Sequence, residues 1–236
     1  MKTQLRAVAL ALILACALPA ANILIYEDLA LGTSAIPGAL TLSGQCTLCT
    51  FAADTTDFNN LLTGGTVWDL VILAENNSSS TYSEVAANLS AYLTGGGRII
   101  GQTWVSGGLD TLLEGVLAPP VNATPLNNDG HPVFNGIVGD IGISNPGWGT
   151  FTQRYSALGT AVGIGGLGSL PFGIILGNDG RTFLNGPLSD TYTTVAQGEQ
   201  LLANEINYLL DSQVPEPGTF ALLGAGLAFL AIRRKR

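Results

Sequence analysis

The sequence predicts an α/β fold, a three-layer sandwich with helices on both faces of a mostly parallel sheet. Short, unbroken apolar runs suit strands that are buried on both sides. The segments between and after them carry helical periodicity. Near the C-terminus, two further runs flank a turn signal.

The elements follow in order. NILIYED (Asn22–Asp28) reads as the first strand, TFAAD (Thr50–Asp54) as a second and DLVILAE (Asp69–Glu75) as a third. In SEVAANLSAYLTGGG, the residues Val85, Leu89, Tyr92 and Leu93 fall on one helical face. Ser83 suits its start and Gly95 its end. RIIGQTW (Arg98–Trp104) is the next strand, and strand–helix–strand repetition implies right-handed crossovers. Gly115 to Gly168 is rich in Gly, Pro and Asn and reads as loops with irregular β-structure. FGIILG (Phe172–Gly177) and RTFLNG (Arg181–Gly186) form a hairpin about Asn178-Asp179-Gly180. GEQLLANEINYLL closes the fold as a helix with the stripe Leu202, Ile206, Leu209 and Leu210.

Composition narrows the function. The 236 residues carry a net charge of −8, only 11% are charged, and 47% are hydrophobic. An acidic balance excludes a nucleic-acid binder, and high hydrophobicity excludes a charge-rich disordered chain. The basic residues gather at the ends. Lys2 and Arg6 precede the apolar run AVALALILACAL and the small residues of LPAAN, which reads as a signal peptide over 1–21. An uncleaved N-terminal anchor is the alternative. At the other end, Pro215-Glu216-Pro217 breaks any helix before it. The apolar segment Thr219–Ile232 follows, then Arg233, Arg234, Lys235 and Arg236. At about 1.5 Å per residue the segment spans roughly 21 Å, short of a ~30 Å hydrocarbon core but able to insert with local thinning. The basic flank stays cytoplasmic by the positive-inside rule.

Motif, short apolar helix and terminal basic cluster together resemble a PEP-CTERM sorting signal over 214–236. The resemblance implies a Gram-negative bacterium and an exosortase partner that cuts near Pro215-Glu216-Pro217. It implies a precursor anchored in the inner membrane and a body passed to the cell surface or to a biofilm matrix, with exopolysaccharide or other surface proteins as further partners. A plain C-terminal membrane anchor is the alternative.

The body, 22–211, resembles the class I glutamine amidotransferase-like fold, a flavodoxin-like sandwich. The resemblance rests on DLVILAE, the helix running into YLTGGGRIIGQTW, HPVFNG (His131–Gly136), and GRTFLNGPLSD followed by QLLANEINYLL. In that family a nucleophilic Cys follows the strand matching RIIGQTW. Here Gln102, Thr103 and Trp104 stand at that place, and Thr is a poor nucleophile without a base. The single histidine, His131, is expected to order a loop. The body therefore reads as a non-catalytic binding domain that needs no cofactor and no metal. A hydrolase using carboxylates is the alternative.

An open α/β sheet binds ligands beyond the carboxyl ends of its strands. Those ends carry Glu27, Asp28, Asp54, Glu75, Asn76, Gln102 and Thr103. Glu27 and Glu75 are expected to face each other across the crevice, as an acid–base pair or as ligands for a hard cation such as Ca²⁺, or else to cap helices and solvate loops. Trp68, Trp104, Trp148 and Tyr155 offer stacking faces for sugars, or pack in the core. Cys46 and Cys49 form one CxxC, too little for a zinc site and apt for a small disulfide in an exported protein. Gly163-Ile-Gly165-Gly-Leu-Gly168 matches G-x-G-x-x-G without a strand–turn–helix setting and reads as a loop.

Overall fold

A computed structural model describes residues 21–118, 125–144, 147, 152–166 and 171–211. Apart from Ala21, the predicted signal peptide and the sorting tail lie outside the described residues. Among the described residues, no helix is long and apolar enough to cross a membrane.

Seven strands form the main sheet. They are β1 (Ala21–Glu27), β2 (Cys46–Phe51), β3 (Leu70–Glu75), β4 (Ile99–Thr103), β7 (Val162–Ile164), β8 (Ile174–Gly177) and β9 (Thr182–Asn185), in the order β2-β1-β3-β4-β9-β8-β7. The first five in that order run parallel, and β8 runs antiparallel to both of its neighbours, β9 and β7. A separate antiparallel pair joins β5 (Gly115–Ala118) to β6 (Arg154–Ala157). The helices are α1 (Ile36–Ser43), α2 (Thr55–Thr63), α3 (Thr81–Thr94), α4 (Leu109–Leu112) and α5 (Val195–Asp211).

Each central strand buries both faces, and the two faces meet different helices. Ile23, Ile25, Leu70, Ile72, Ile100 and Phe183 pack under α1 and α5. Leu24, Val71, Leu73, Ile99 and Leu184 pack under α2, α3 and α4. Each fully buried Leu or Ile contributes about 1.5–3 kcal/mol. On α5 the buried stripe is Leu201, Leu202, Ile206 and Leu209. Leu210 is half-buried instead, packed at the edge of this core.

Three local expectations are corrected. The second strand starts at Cys46, not Thr50, so CTLC lies within β2. A register shift lets Ala21 pair with Cys46 and Asn22 with Leu48. That extra residue puts Cys46 and Cys49 on one face, where unbroken alternation would oppose them. A disulfide joins them, with Cα atoms 5.8 Å apart. The third helix starts at Thr81 after Ser80, so Ser83 lies inside it, while Gly95 does end it. The segment beginning at Gly163 is partly strand, because Val162–Ile164 pairs with β8. The Asn178-Asp179-Gly180 turn has positive φ at all three residues, as a tight hairpin needs. The short helix α1 in IPGALTLS has no counterpart in the sequence reading, since its apolar residues show little periodicity.

Candidate functional site

Strand order reverses between β1 and β3, so the carboxyl ends of these strands open the topological switch. β1 pairs Glu27 with Ala74, which places Glu75 one residue further along β3. Successive side chains alternate between faces. Glu27 therefore shares the α1/α5 face with Ile23 and Ile25, and Glu75 shares the other with Val71 and Leu73. The two carboxylates do not face each other, which removes the acid–base pair and the shared cation site. Among the described residues, no three His, Cys, Asp or Glu side chains are grouped to hold a metal ion.

On the α2/α3 face the polar groups are consumed by structure. Glu75, 2% exposed, accepts from the Thr103 hydroxyl at 2.6 Å and from the Tyr82 backbone N–H at 3.1 Å. Burial raises its pKa, and these two hydrogen bonds oppose the rise. Asp28 accepts from the backbone N–H groups of Asn76 at 2.8 Å, Asn77 at 3.1 Å and Ser78 at 2.7 Å, and from the Thr81 hydroxyl at 3.0 Å. Both carboxylates thus hold the start of α3, where free N–H groups and the helix dipole favour negative charge. Asp54 does the same locally for α2, accepting from Asp57 N–H at 2.8 Å. The Tyr155 hydroxyl donates to the Thr103 carbonyl at 2.8 Å.

The α1/α5 face carries a different arrangement. Ser189 donates to Glu27, and the Asn76 amide donates to Glu27 at 3.0 Å and to Ser189 Oγ at 2.8 Å. Gln102 pairs in register with Asn185, so both point to this face. Asn185 donates at 2.8 Å to Glu205 on α5, a fully buried carboxyl whose pKa burial pushes up to about 8. Burial also raises the Tyr192 hydroxyl pKa, with the Glu205 charge adding to it. Asn76 Oδ1, both polar atoms of Gln102, Asn185 Oδ1, Glu205 Oε1 and the Tyr192 hydroxyl are buried without a protein partner. Such groups are rare singly, and here they form a seam along one end of the sheet. Bound water or a small polar ligand is what would satisfy them.

The sequence reading named Glu27, Asn76 and Gln102 but missed Ser189, Asp190, Asn185, Tyr192 and Glu205. Asp190 accepts from Leu31 and Gly32 N–H groups at 2.7 and 3.1 Å, tying the loop after β1 to the loop after β9. The available signal was polarity at core positions of α5 and β9, which breaks their apolar stripes. The stacking roles fail for Trp68 and Tyr155, which are buried in the core, and Trp104 is half-buried. Trp148 lies outside the described residues. His131 caps the short 3-10 turn Pro132–Phe134, its Nδ1 accepting from Val133 N–H at 3.3 Å. Its ring lies 5.5 Å from that of Tyr208, near the C-terminal end of α5 and at the other end of the sheet from Thr103.

Two solved structures share this architecture. One is described as a GMP synthase subunit from Thermoplasma acidophilum, with a TM-score of 0.51 and 10% identity, covering 82% of this chain and 96% of that one. The other is a glutamine amidotransferase from Thermotoga maritima, with a TM-score of 0.50 and 8% identity, covering 81% and 99%. The body is thus an α/β domain with a class I glutamine amidotransferase-like fold. The chain itself is marked by its tail, since residues 213–236 match the PEP-CTERM protein-sorting motif. That motif implies an exported protein that an exosortase processes at the membrane. No curated protein matches the chain.

Proposed function

We propose that this is a bacterial cell-surface or extracellular-matrix protein whose body binds rather than transforms its partner. The sorting match over 213–236 carries the export half of this reading. The proposed order of the chain is a signal peptide over 1–21, the α/β body over 22–211 and the sorting tail over 214–236. β1 includes Ala21, buried and paired with Cys46, so the proposed boundary between signal peptide and body falls at the start of the first strand. The apolar segment 219–232 and the flank Arg233–Arg236 would anchor a precursor in the inner membrane of a Gram-negative cell, before release to a biofilm or exopolysaccharide matrix.

The binding half rests on Thr103. The amidotransferase resemblance puts a nucleophile at this turn, yet the Thr103 hydroxyl donates to Glu75, and the chain's one histidine lies at the opposite end of the sheet. A hydroxyl hydrogen-bonded to a buried carboxylate, with no imidazole beside it, lacks the histidine–carboxylate relay of an acyl-transfer triad. Glu27, Asn76, Ser189 and Gln102 then serve as polar contacts at the switch point.

The test is the mature protein from an exosortase-bearing host. Intact mass should place the new C-terminus near Val214–Pro217, and retention of Arg233–Arg236 would overturn the sorting reading. The full chain should release no ammonia from glutamine, and turnover abolished by Thr103→Val would overturn the binding reading.

A further inference from the structure

The sheet has two edges, and only one of them is blunted. β2 is outermost on its side and pairs with β1 alone. Ala52 N–H donates to the Ile25 carbonyl at 2.8 Å, and in a parallel ladder every second residue faces the neighbour. Leu48 and Thr50 therefore turn their backbone groups to β1, while Cys49 and Phe51 turn theirs away from the sheet. Among the described residues, nothing hydrogen-bonds to those outward groups. Such a row is a template for another strand, and native edges usually blunt it with charge, Pro or short length. β7, at the opposite edge, is three residues long with Gly163 at its centre, and the Gly165 N–H beyond it donates to Asp129 at 2.8 Å. β2 has neither charge nor Pro. Its one irregularity is at Thr47, between the disulfide-bonded Cys46 and Cys49, and Leu48–Phe51 stay in register with β1.

The charge of the body narrows what can sit there. Between Asn22 and Asp211 the sequence holds three basic residues and sixteen acidic ones, a net charge of −13. None of those charges falls between Leu29 and Ala53, the stretch that forms α1 and β2. Its surface is apolar instead, with Leu42 54%, Leu48 45% and Phe51 50% exposed. Two copies of so acidic a body repel each other over most of their surface, and this uncharged edge is where they can meet.

The edge also complements itself. A two-fold axis at Thr50 brings Cys49 of each copy opposite Phe51 of the other, and each such pair exchanges both of its N–H···O bonds. Thr50 then lies opposite Thr50, and Leu48 opposite Ala52. Sulfur meets an aromatic ring, hydroxyl meets hydroxyl and a methyl meets an apolar chain, with no charge in the register. We propose that β2 pairs antiparallel with β2 of a second copy of this chain, about a two-fold axis at Thr50, joining two seven-stranded sheets into one. The pairing leaves the carboxyl-end seam of each copy separate, so it is independent of whether the body binds or transforms a ligand.

The test is native mass spectrometry of the full chain in detergent, with amide exchange followed by NMR. The chain should be dimeric. Phe51→Lys places a charge in the register and should raise the dimer Kd at least about tenfold. Val138→Lys adds the same charge at a residue 91% exposed elsewhere, and should change Kd less than about twofold. Both variants should keep the wild-type Tm, because both side chains stand at the surface. The Cys49 amide should exchange slowly in the dimer and at least about tenfold faster in Phe51→Lys, whereas the Thr50 amide, bonded to β1 in either state, should not change. Added salt should tighten the dimer by screening the two acidic bodies from each other, and loosening by salt overturns the apolar edge. A chain that stays monomeric up to about 100 μM, or a dimer that Phe51→Lys leaves intact, overturns the proposal. A monomer with protected Cys49 and Phe51 amides puts another segment of the same chain on the edge, and protection that appears only with added matrix extract puts a foreign strand there; either overturns the second copy as occupant.

Discussion

The two faces of the sheet differ most at the carboxyl ends of the strands. On the α2/α3 face, Glu75 and Asp28 are closed into networks with Thr103, Tyr82 and the loop before α3. On the α1/α5 face, Gln102, Asn185, Glu205 and Tyr192 are just as buried but leave polar atoms unpartnered. Burial alone therefore does not mark a site. A buried carboxylate with hydrogen bonds to N–H and O–H groups is part of the scaffold, whereas a buried row with spare donors and acceptors is where solvent or a ligand belongs.

The largest expected effect tests Glu205. Its pKa is about 8 when folded against an ordinary 4.5, so the native state holds a proton that the unfolded chain releases. Its contribution to stability is fully present below pH 4.5 and is lost as pH rises through about 8. Chemical denaturation should show a loss on the order of 3–5 kcal/mol across that window, and Glu205→Gln should flatten it. A profile identical in the two proteins would remove Glu205 from the seam's energetics.

Glu75→Leu should come next, costing about 2–3 kcal/mol by orphaning Thr103 and the Tyr82 N–H. Thr103→Val removes one partner of the same network and should cost about 1–2 kcal/mol. Gln102→Leu should change stability least, by less than about 1 kcal/mol, because neither polar atom of Gln102 has a protein partner to lose. Denaturant midpoints for the three variants check this ranking. A Gln102→Leu loss as large as that of Glu75→Leu would show that the seam is as tightly bonded as the opposite face, through ordered water.

Much of the fold was legible because its signals are local. The apolar runs of β1, β3 and β4, the positive-φ turn at Asn178-Asp179-Gly180 and the stripe of α5 each lie within a few neighbouring residues. Three features escaped for the opposite reason. The N-terminus of α3 is held by Asp28, just past β1, and by Glu75 at the end of β3, not by its own Ser83. The bulge in β2 is visible only against β1. Ser189 reaches Glu27 across 162 positions of sequence.

The sequence by itself determined the exported, acidic character of the chain, its sorting tail and the α/β alternation, since these are properties of composition, order and local period. It also placed Glu27 and Glu75 at strand ends. Only the tertiary structure decided that they point to opposite faces. Register between β1 and β3 sets that outcome, and in a pleated strand a shift of one residue turns a side chain from one side of the sheet to the other.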